Sequence, residues 1–150
     1  MSAKETSRKP PCHILVAEDD ANDVWLLKRA FAKAGLTATV SFVTNGQEVI
    51  AYLEGNPPFD NRSAYPLPNL LMLDLKMPGI GGLEVLEWLA TKPKLAGLRV
   101  VVFSSCAAPE DSRYAVKLGA LSCMTKPLDP LYLAHLFHDL PSHSASDRPV

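Results

Sequence analysis

The sequence predicts an α/β protein in which helices cover both faces of a five-stranded parallel sheet. Short, almost wholly apolar runs alternate along the chain with segments whose apolar residues recur at helical spacing. The apolar runs lack the polar alternation of a sheet with one solvated face. The 150 residues, of which 47% are hydrophobic and 21% charged, suit one compact globular domain.

Composition and charge exclude several classes of function. Fifteen basic and sixteen acidic residues leave no excess of positive charge for a phosphate backbone, so we expect no nucleic-acid partner. No run approaches 18 apolar residues, and residues 1–20 lack the apolar core of a signal peptide. Cys12, Cys106 and Cys123 are too widely and oddly spaced for a disulfide framework or a zinc site. They predict buried or half-buried free thiols in a reducing cytoplasm.

The first part of the chain predicts a tail, a strand and a helix. Polar residues 1–11 and 141–150 are expected to be tails on either side of a domain that covers residues 12–140. The β-branched run His13–Ala17 predicts the first strand. Apolar residues at helical spacing predict a first helix from about Asn22 to Ala34.

A second strand, a second helix and a long loop follow. We expect the strand over Thr39–Val43 and the helix from Asn45-Gly46 to Glu54. Gly55–Pro68 contains four prolines and is too irregular for a helix or strand. Fourteen residues is long for a connection, and both a partner-facing loop and a surface insertion remain open.

The next segments alternate in the same way. Asn69–Asp74 predicts the third strand, and the glycine-rich turn Met77–Gly82 leads into a third helix over about Leu83–Ala90. Leu98–Phe103 predicts the fourth strand, closed by Ser104-Ser105.

The last part of the chain predicts two further helices around a strand. Pro109 suits the first turn of a helix that ends at Leu118 before Gly119. Leu121–Thr125 predicts the fifth strand, which Lys126-Pro127 ends, and Pro130–Leu140 predicts the fifth helix.

Chemically active side chains follow four of the five strands. Glu18-Asp19 follows the first strand, Asp74 ends the third, Ser104 follows the fourth and Lys126 follows the fifth. In open parallel sheets, ligands bind at the carboxyl ends of the strands. Converging carboxylates suit a hard divalent ion, most simply Mg²⁺, and a hydroxyl with an ammonium suits the oxygens of a phosphoryl group. The pattern therefore predicts a carboxylate nucleophile with a metal and a charge clamp.

On these residues the chain resembles the receiver domain of two-component response regulators. The matching segments are ILVAED, LLMLDLKMPGIGGLEVL, VVVFS and GALSCMTKP, with 30 residues from Asp74 to Ser104 and 22 from Ser104 to Lys126. The resemblance covers about 13–140. It implies the flavodoxin-like, doubly wound fold with strand order 2-1-3-4-5.

The resemblance also implies a role for each site residue. Asp74 would be the phosphoacceptor, and Asp19 and Asp74 would bind Mg²⁺ directly. Glu18 would act through water, and the backbone carbonyl of Lys76 would be the third protein ligand. Accepting a phosphoryl group makes the chain a signalling protein that catalyses only its own phosphorylation and dephosphorylation.

The resemblance extends to the switch residues. Ser104 would bind a phosphoryl oxygen and Lys126 would balance its charge, next to a cis peptide bond at Pro127. Two positions depart from the family pattern. Cys123 stands where the family usually has a tyrosine or phenylalanine switch residue, and Lys76 stands where many members have asparagine.

The family arrangement implies two protein partners. A histidine kinase is expected to dock on Asn22, Asp23, Leu26 and Pro127-Leu128. A homodimer is expected to form through the fourth helix, fifth strand and fifth helix, where the contributing residues are Tyr114, Lys117, Tyr132, Leu136 and Phe137. Only ten residues follow Leu140, which predicts no output domain, and the proline-rich loop resembles regulators paired with bacterial phytochrome kinases.

Three other functions are alternatives to this one. A haloacid-dehalogenase-like phosphotransferase needs an aspartate two residues after the nucleophile, and Lys76 stands there. A flavodoxin-like electron carrier needs a hydroxyl-rich phosphate loop after the first strand, and Glu18-Asp19-Asp20 would repel that phosphate. A receiver-like interaction module that is never phosphorylated is the third alternative.

Overall fold

The computed structural model describes residues 12–139. Five strands alternate with five helices. The strands are β1 (His13–Ala17), β2 (Thr39–Val43), β3 (Leu70–Asp74), β4 (Arg99–Ser104) and β5 (Ser122–Thr125). The helices are α1 (Ala21–Lys33), α2 (Gly46–Glu54), α3 (Gly82–Leu89), α4 (Pro109–Lys117) and α5 (Pro130–Asp139), with one 3₁₀ turn at Pro93–Leu95.

The sheet has the predicted parallel topology. Its strand order is β2-β1-β3-β4-β5, and every neighbouring pair is parallel. The carboxyl ends of all five strands therefore meet at one edge. Chain order reverses direction between β1 and β3, which makes the ends of these two strands the topological switch point.

Alternate residues of the strands form two hydrophobic cores, one on each face. Leu15 and Leu73 belong to the core that packs against α2, α3 and α4. Val16, Met72 and Phe103 belong to the core that packs against α1 and α5. Burial on both faces explains why these strands read as continuous apolar runs in the sequence.

Most predicted boundaries agree with the structure to within one or two residues. The bounds of β1 and β2 are those predicted, whereas β3, β4 and β5 begin one residue later than predicted. Helix α1 begins at Ala21 because Asp20 caps it, accepting hydrogen bonds from the N–H groups of Asn22 and Asp23. The two predicted tails and Leu140 lie outside the described residues.

Two predictions about side-chain placement need correction. Cys106 was predicted to be buried or half-buried but is exposed, because it lies in the loop after β4. Leu136 and Phe137, predicted for a dimer face, pack instead against the α1-side core, where Phe137 meets the ring of Phe31 edge-on at 5.6 Å. They are partly buried residues on the inner side of α5.

The proline-rich loop over residues 55–68 is irregular, as predicted, but it is packed onto the domain. The rings of Phe59 and Tyr65 contact the buried ring of Tyr52, with centroids 5.2 and 5.8 Å away. The guanidinium of Arg62 donates hydrogen bonds to the carbonyls of Tyr52, Leu53 and Tyr65. Two of these carbonyls belong to the last turn of α2, so Arg62 caps that helix.

Candidate functional site

The predicted site residues lie together at the carboxyl edge of the sheet. Asp74 is the last residue of β3, and Ser104 is the last residue of β4; both are buried. Glu18 follows β1 directly and is buried, while its neighbour Asp19 is exposed. Lys126 follows β5, and its backbone N–H donates to the carbonyl of Ser104 at 3.0 Å.

The ammonium of Lys126 is the electrostatic centre of the site. Its Nζ lies 2.7 Å from Glu18 Oε1, 2.8 Å from Asp23 Oδ2 and 3.0 Å from Asp74 Oδ2. The ammonium also lies over the ring of Phe103, 5.3 Å from the centroid. One cation thus faces three carboxylates from three different elements, and the contact with Asp74 puts it beside the predicted phosphoacceptor.

Burial and charge shift the ionisation of the two most enclosed groups. Burial raises the pKa of Glu18 to about 7, and the contact with Lys126 and a hydrogen bond from the N–H of Asp20 offset only part of this shift. Burial alone would lower the pKa of Lys126. Its contacts with the carboxylates of Asp23, Glu18 and Asp74 outweigh burial and raise this pKa above its ordinary value. The lysine therefore stays charged.

The carboxylates beside this lysine fit a hard divalent cation. One carboxylate oxygen each from Glu18, Asp19 and Asp74 lies within 4.8 Å of the other two. The buried Oε1 of Glu18 forms the ion pair with Lys126 but no hydrogen bond of good geometry. Clustered carboxylates with spare acceptor capacity are the ligand set of Mg²⁺. The backbone of Lys76 lies at the same place, since its N–H donates to Asp74 Oδ1 at 3.0 Å.

The predicted switch residues lie on neighbouring strands. The Oγ of Ser104 accepts a weak hydrogen bond from the N–H of Cys106 at 3.3 Å. Cys123 is half-buried on β5, and its sulfur accepts a hydrogen bond from the hydroxyl of Ser112 on α4 at 3.3 Å. The peptide bond between Lys126 and Pro127 is cis.

A groove runs from this site between α1 and the loop after β5. Its walls, which we call the α1 groove, include Asp23, Leu26, Leu27, Phe103, Pro127 and Leu128. The predicted docking residue Asn22 is exposed at the start of α1. Asp23 was predicted only as a docking residue, but its carboxylate also contacts Lys126. The sequence feature that could have indicated this contact is the position of Asp23 in the first turn of the helix beside the site.

Two glycines that the sequence analysis did not single out allow the chain to pack tightly under Asp74. A Cβ atom on Gly82, at the start of α3, would lie 2.6 Å from the carbonyl oxygen of Asp74. A Cβ atom on Gly46, at the start of α2, would lie 2.4 Å from the carbonyl oxygen of Ile80. Both distances are shorter than any ordinary van der Waals contact. The loop that follows Asp74 therefore requires glycine, which has no side chain, at both positions.

The family follows from a comparison of the whole domain with known proteins. The family model for the response regulator receiver domain matches residues 14–138, which include every strand end described above. The chain belongs to the response regulator receiver domain family. Receiver domains are the signalling modules of two-component systems, and their partners are histidine kinases.

Several solved structures of receiver domains resemble this one closely. The response regulator RPA3017 in red light signalling of R. palustris has a TM-score of 0.79 at 27% identity, covering 89% of this chain and 96% of that one. The phosphorylated cyanobacterial phytochrome response regulator RcpA has a TM-score of 0.72 at 28% identity, covering 85% and 89%. The Mn²⁺-bound form of Rcp1, from Synechocystis, has a TM-score of 0.71 at 26% identity, covering 85% and 89%.

These comparisons confirm the predicted family and its fold. The structural neighbours are phytochrome response regulators, which agrees with the similarity noted from the proline-rich loop. Among residues 12–139, no helix is both long enough and apolar enough to cross a membrane.

Proposed function

We propose that this receiver domain accepts a phosphoryl group from a histidine kinase onto Asp74, in a reaction that requires Mg²⁺. The observation that carries the proposal is the contact of one half-buried ammonium, Lys126, with Asp74 in a cluster of three carboxylates. Two similar proteins support it, since RcpA is described as phosphorylated and Rcp1 as Mn²⁺-bound. The signal would be the conformation of the phosphorylated protein, and residues 12–140 would form the domain.

In this proposal, Asp74 is the nucleophile. A carboxylate oxygen of Asp74 forms the new O–P bond while the P–N bond to the kinase histidine breaks, and the histidine nitrogen keeps the electron pair. Burial of Asp74 excludes most water from the acyl phosphate that results. Glu18, Asp19, Asp74 and the carbonyl of Lys76 would hold the divalent ion, which supplies positive charge against the phosphoryl oxygens.

Two further side chains would bind the transferred group. Ser104 at the end of β4 would donate its hydroxyl proton to a phosphoryl oxygen. Lys126 would donate a charge-assisted hydrogen bond to another oxygen, from the position where it now contacts Asp74. Ser104 ends the strand next to that of Asp74, and Lys126 already contacts Asp74, so neither needs a large movement.

The proposal predicts an acid-labile, Mg²⁺-dependent phosphoryl adduct on Asp74. We expect incubation of the full chain with acetyl phosphate and Mg²⁺ to add the mass of one phosphoryl group, measured on the intact protein. Asp74→Asn should abolish the adduct, and EDTA should abolish it in the wild type. Asp60→Asn is the matched control, because Asp60 is an exposed aspartate in the 55–68 loop.

Either of two results would contradict this assignment. Labelling that persists in Asp74→Asn would place the phosphoryl group on another residue. A wild type that is never labelled, by acetyl phosphate or by a kinase, would instead favour a receiver-like interaction module. Circular dichroism of each variant shows whether a loss of labelling comes from unfolding.

We further propose that the kinase docks on the α1 groove. Asn22 and Leu26 are exposed beside the site, and the groove continues to Pro127 and Leu128. A histidine on the kinase must approach Asp74 from this open side of the pocket. The similarity to RPA3017 and RcpA favours a phytochrome kinase in the cytoplasm as the partner.

A homodimer is the second partner that we propose. Its surface would be formed by α4, β5 and the outer side of α5, where Tyr114, Lys117 and Tyr132 are exposed. Leu136 and Phe137 do not belong to that surface, for the reason given above.

A further inference from the structure

Among residues 12–139, Asp23 is the one carboxylate partner of Lys126 that lies outside the candidate metal cluster. The cluster consists of Glu18, Asp19 and Asp74, whereas Asp23 lies in the first turn of α1. Its Oδ2 accepts a hydrogen bond from Lys126 Nζ at 2.8 Å, a distance between those of the other two carboxylate contacts, 2.7 and 3.0 Å. Lys126 therefore links α1 to the loop after β5.

Carboxylates surround the ammonium of Lys126. Three of them lie within 3.0 Å of Nζ, of which Asp23 and Asp74 accept hydrogen bonds and Glu18 forms an ion pair. A phosphoryl group on Asp74 would place new oxygens beside this ammonium. To bind one of them closely, Lys126 has to shift, which weakens its contacts with its present partners.

Exposure to water decides which partner is released. The Asp23 side chain is 29% exposed, whereas those of Glu18 and Asp74 are 0% and 4% exposed. Asp74 would itself carry the phosphoryl group, and water can replace the ammonium at Asp23 but not at the fully buried Glu18. The positive end of the α1 dipole also stabilises a free carboxylate in its first turn. Asp23 is thus the partner that costs least to release.

We propose that Asp23 is a positioning residue that holds Lys126 in the unphosphorylated protein and is released when Lys126 binds the phosphoryl group. This proposal rests on the proposed function, since it presumes phosphorylation of Asp74. Phosphorylation of Asp74 would then change the contacts of α1 directly. This change does not require a movement of the switch position on β5, where Cys123 stands in place of the aromatic residue expected from the family resemblance.

The release of Asp23 would change the surface proposed for the kinase. The Asp23–Lys126 ion pair joins the two walls of the α1 groove close to the phosphoacceptor. When it breaks, a free carboxylate is left on one wall, and the lysine turns toward the phosphoryl group. The groove would then differ between the substrate and the product of phosphotransfer, which favours departure of the kinase after transfer.

The proposal can be tested with beryllofluoride, a mimic of the phosphoryl group, on the Mg²⁺-loaded full chain. Asp23→Asn removes a charged partner that competes for Lys126, so beryllofluoride should bind about three- to tenfold more tightly than to the wild type. Asp20→Asn is the matched control, because it removes the same charge from the start of α1. Asparagine still caps the helix there, and the Asp20 carboxylate accepts from backbone N–H groups.

A spectroscopic signature separates release of Asp23 from a general effect of charge. In the wild type, beryllofluoride should shift the ¹³C resonance of the Asp23 carboxylate and the amide resonances of residues 23–26. In Asp23→Asn, the shifts of these amides should be much smaller. Equal tightening in both variants, unchanged affinity in Asp23→Asn, or an unmoved Asp23 carboxylate would each overturn the proposal. A wild type that does not bind beryllofluoride at all would contradict the proposed function itself.

Discussion

At the scale of single residues, the environment decides how similar side chains behave. Glu18 and Asp19 are adjacent, but only Glu18 is buried, and burial raises its pKa to about 7. A second buried polar group, His13, lies at the opposite end of β1 and takes no part in the site. The pattern of the sequence placed both residues in or after a strand, but their burial depends on the helices packed around that strand.

His13 is held by a network of neutral side chains. Its Nδ1 contacts the hydroxyl of Thr39, and its Nε2 lies 3.0 Å from the hydroxyls of both Ser41 and Tyr52. The Tyr52 hydroxyl donates in turn to the carbonyl of Pro66 in the 55–68 loop. Burial lowers the pKa of His13 below its ordinary value of 6.5, because no carboxylate in this network stabilises an imidazolium.

This histidine predicts a loss of stability in mild acid. Below pH 6.5 the unfolded chain binds a proton at His13 that the folded chain does not, so the free energy of unfolding decreases as pH falls from 6.5 toward the lower folded pKa. His13→Gln cannot titrate. Urea unfolding across pH 7.5 to 5 should therefore show a stability advantage of the wild type over His13→Gln that shrinks as pH falls.

The difference between the two proteins is the informative quantity, because the carboxylates titrate in both. His135→Gln, at an exposed position on α5, is the matched control. A difference between wild type and His13→Gln that stays constant with pH would show that His13 does not titrate differently in the folded and unfolded states.

At the scale of elements, the sequence predicted what depends on local pattern. Continuous apolar runs located β1, β3 and β4, short β-branched or mixed runs between helical segments located β2 and β5, and the polar residues that end or follow β1, β3, β4 and β5 located the site. The parallel sheet brings these strand ends together whatever the details of packing. The strand order and the residue roles came from the family resemblance, since alternation alone does not determine them.

Contacts between distant segments were not predictable in this way. The prolines show that the 55–68 loop is irregular, but nothing local shows that Arg62 reaches the last turn of α2. The contact between Lys126 and Asp23 is a second example, because these residues are 103 positions apart. Arg62 and Lys126 are long side chains, and only folding brings them near the groups that they contact.

Arg62 is expected to determine the stability of the loop and of α2. Arg62→Ala leaves the carbonyl of Leu53 without its side-chain donor and removes one of the two donors to the carbonyl of Tyr52, so the free energy of unfolding should fall by about 2 kcal/mol, measured by urea unfolding. Limited proteolysis should cut the variant faster within residues 56–64. Arg62→Lys should recover little of the loss, because an ammonium cannot reproduce the forked contact.

The site should be insensitive to the same change, since Arg62 acts at the opposite end of α2. Labelling of Asp74 by acetyl phosphate is expected to be unchanged in Arg62→Ala. Arg113→Ala, an exposed arginine on α4, is the matched control for removing a guanidinium. Equal stability of the two variants would mean that Arg62 only rests on the surface.

At the scale of the whole molecule, the exposed apolar side chains are unevenly distributed. Eight large hydrophobic residues are exposed among those the structure describes. Five of them lie on α4, on α5 or just before β5, and they are Tyr114, Val116, Leu121, Leu131 and Tyr132. The hydroxyls of Tyr132 and Ser122 are 3.1 Å apart, which ties α5 to β5 at this surface. A concentration of apolar groups on adjacent elements is typical of an interface.

This distribution predicts a homodimer in which two copies of the α4–β5–α5 surface meet across a two-fold axis. Leu121→Asp places a charge on both sides of such an interface, because each copy contributes the same residue. Sedimentation velocity at tens of micromolar should show a dimer for the wild type and mainly monomer for Leu121→Asp. Leu67→Asp is the matched control, since Leu67 is 52% exposed and Leu121 54%, but Leu67 lies on the 55–68 loop. A wild type that stays monomeric with and without beryllofluoride would rule out this dimer, and equal dissociation of both variants would place the interface elsewhere.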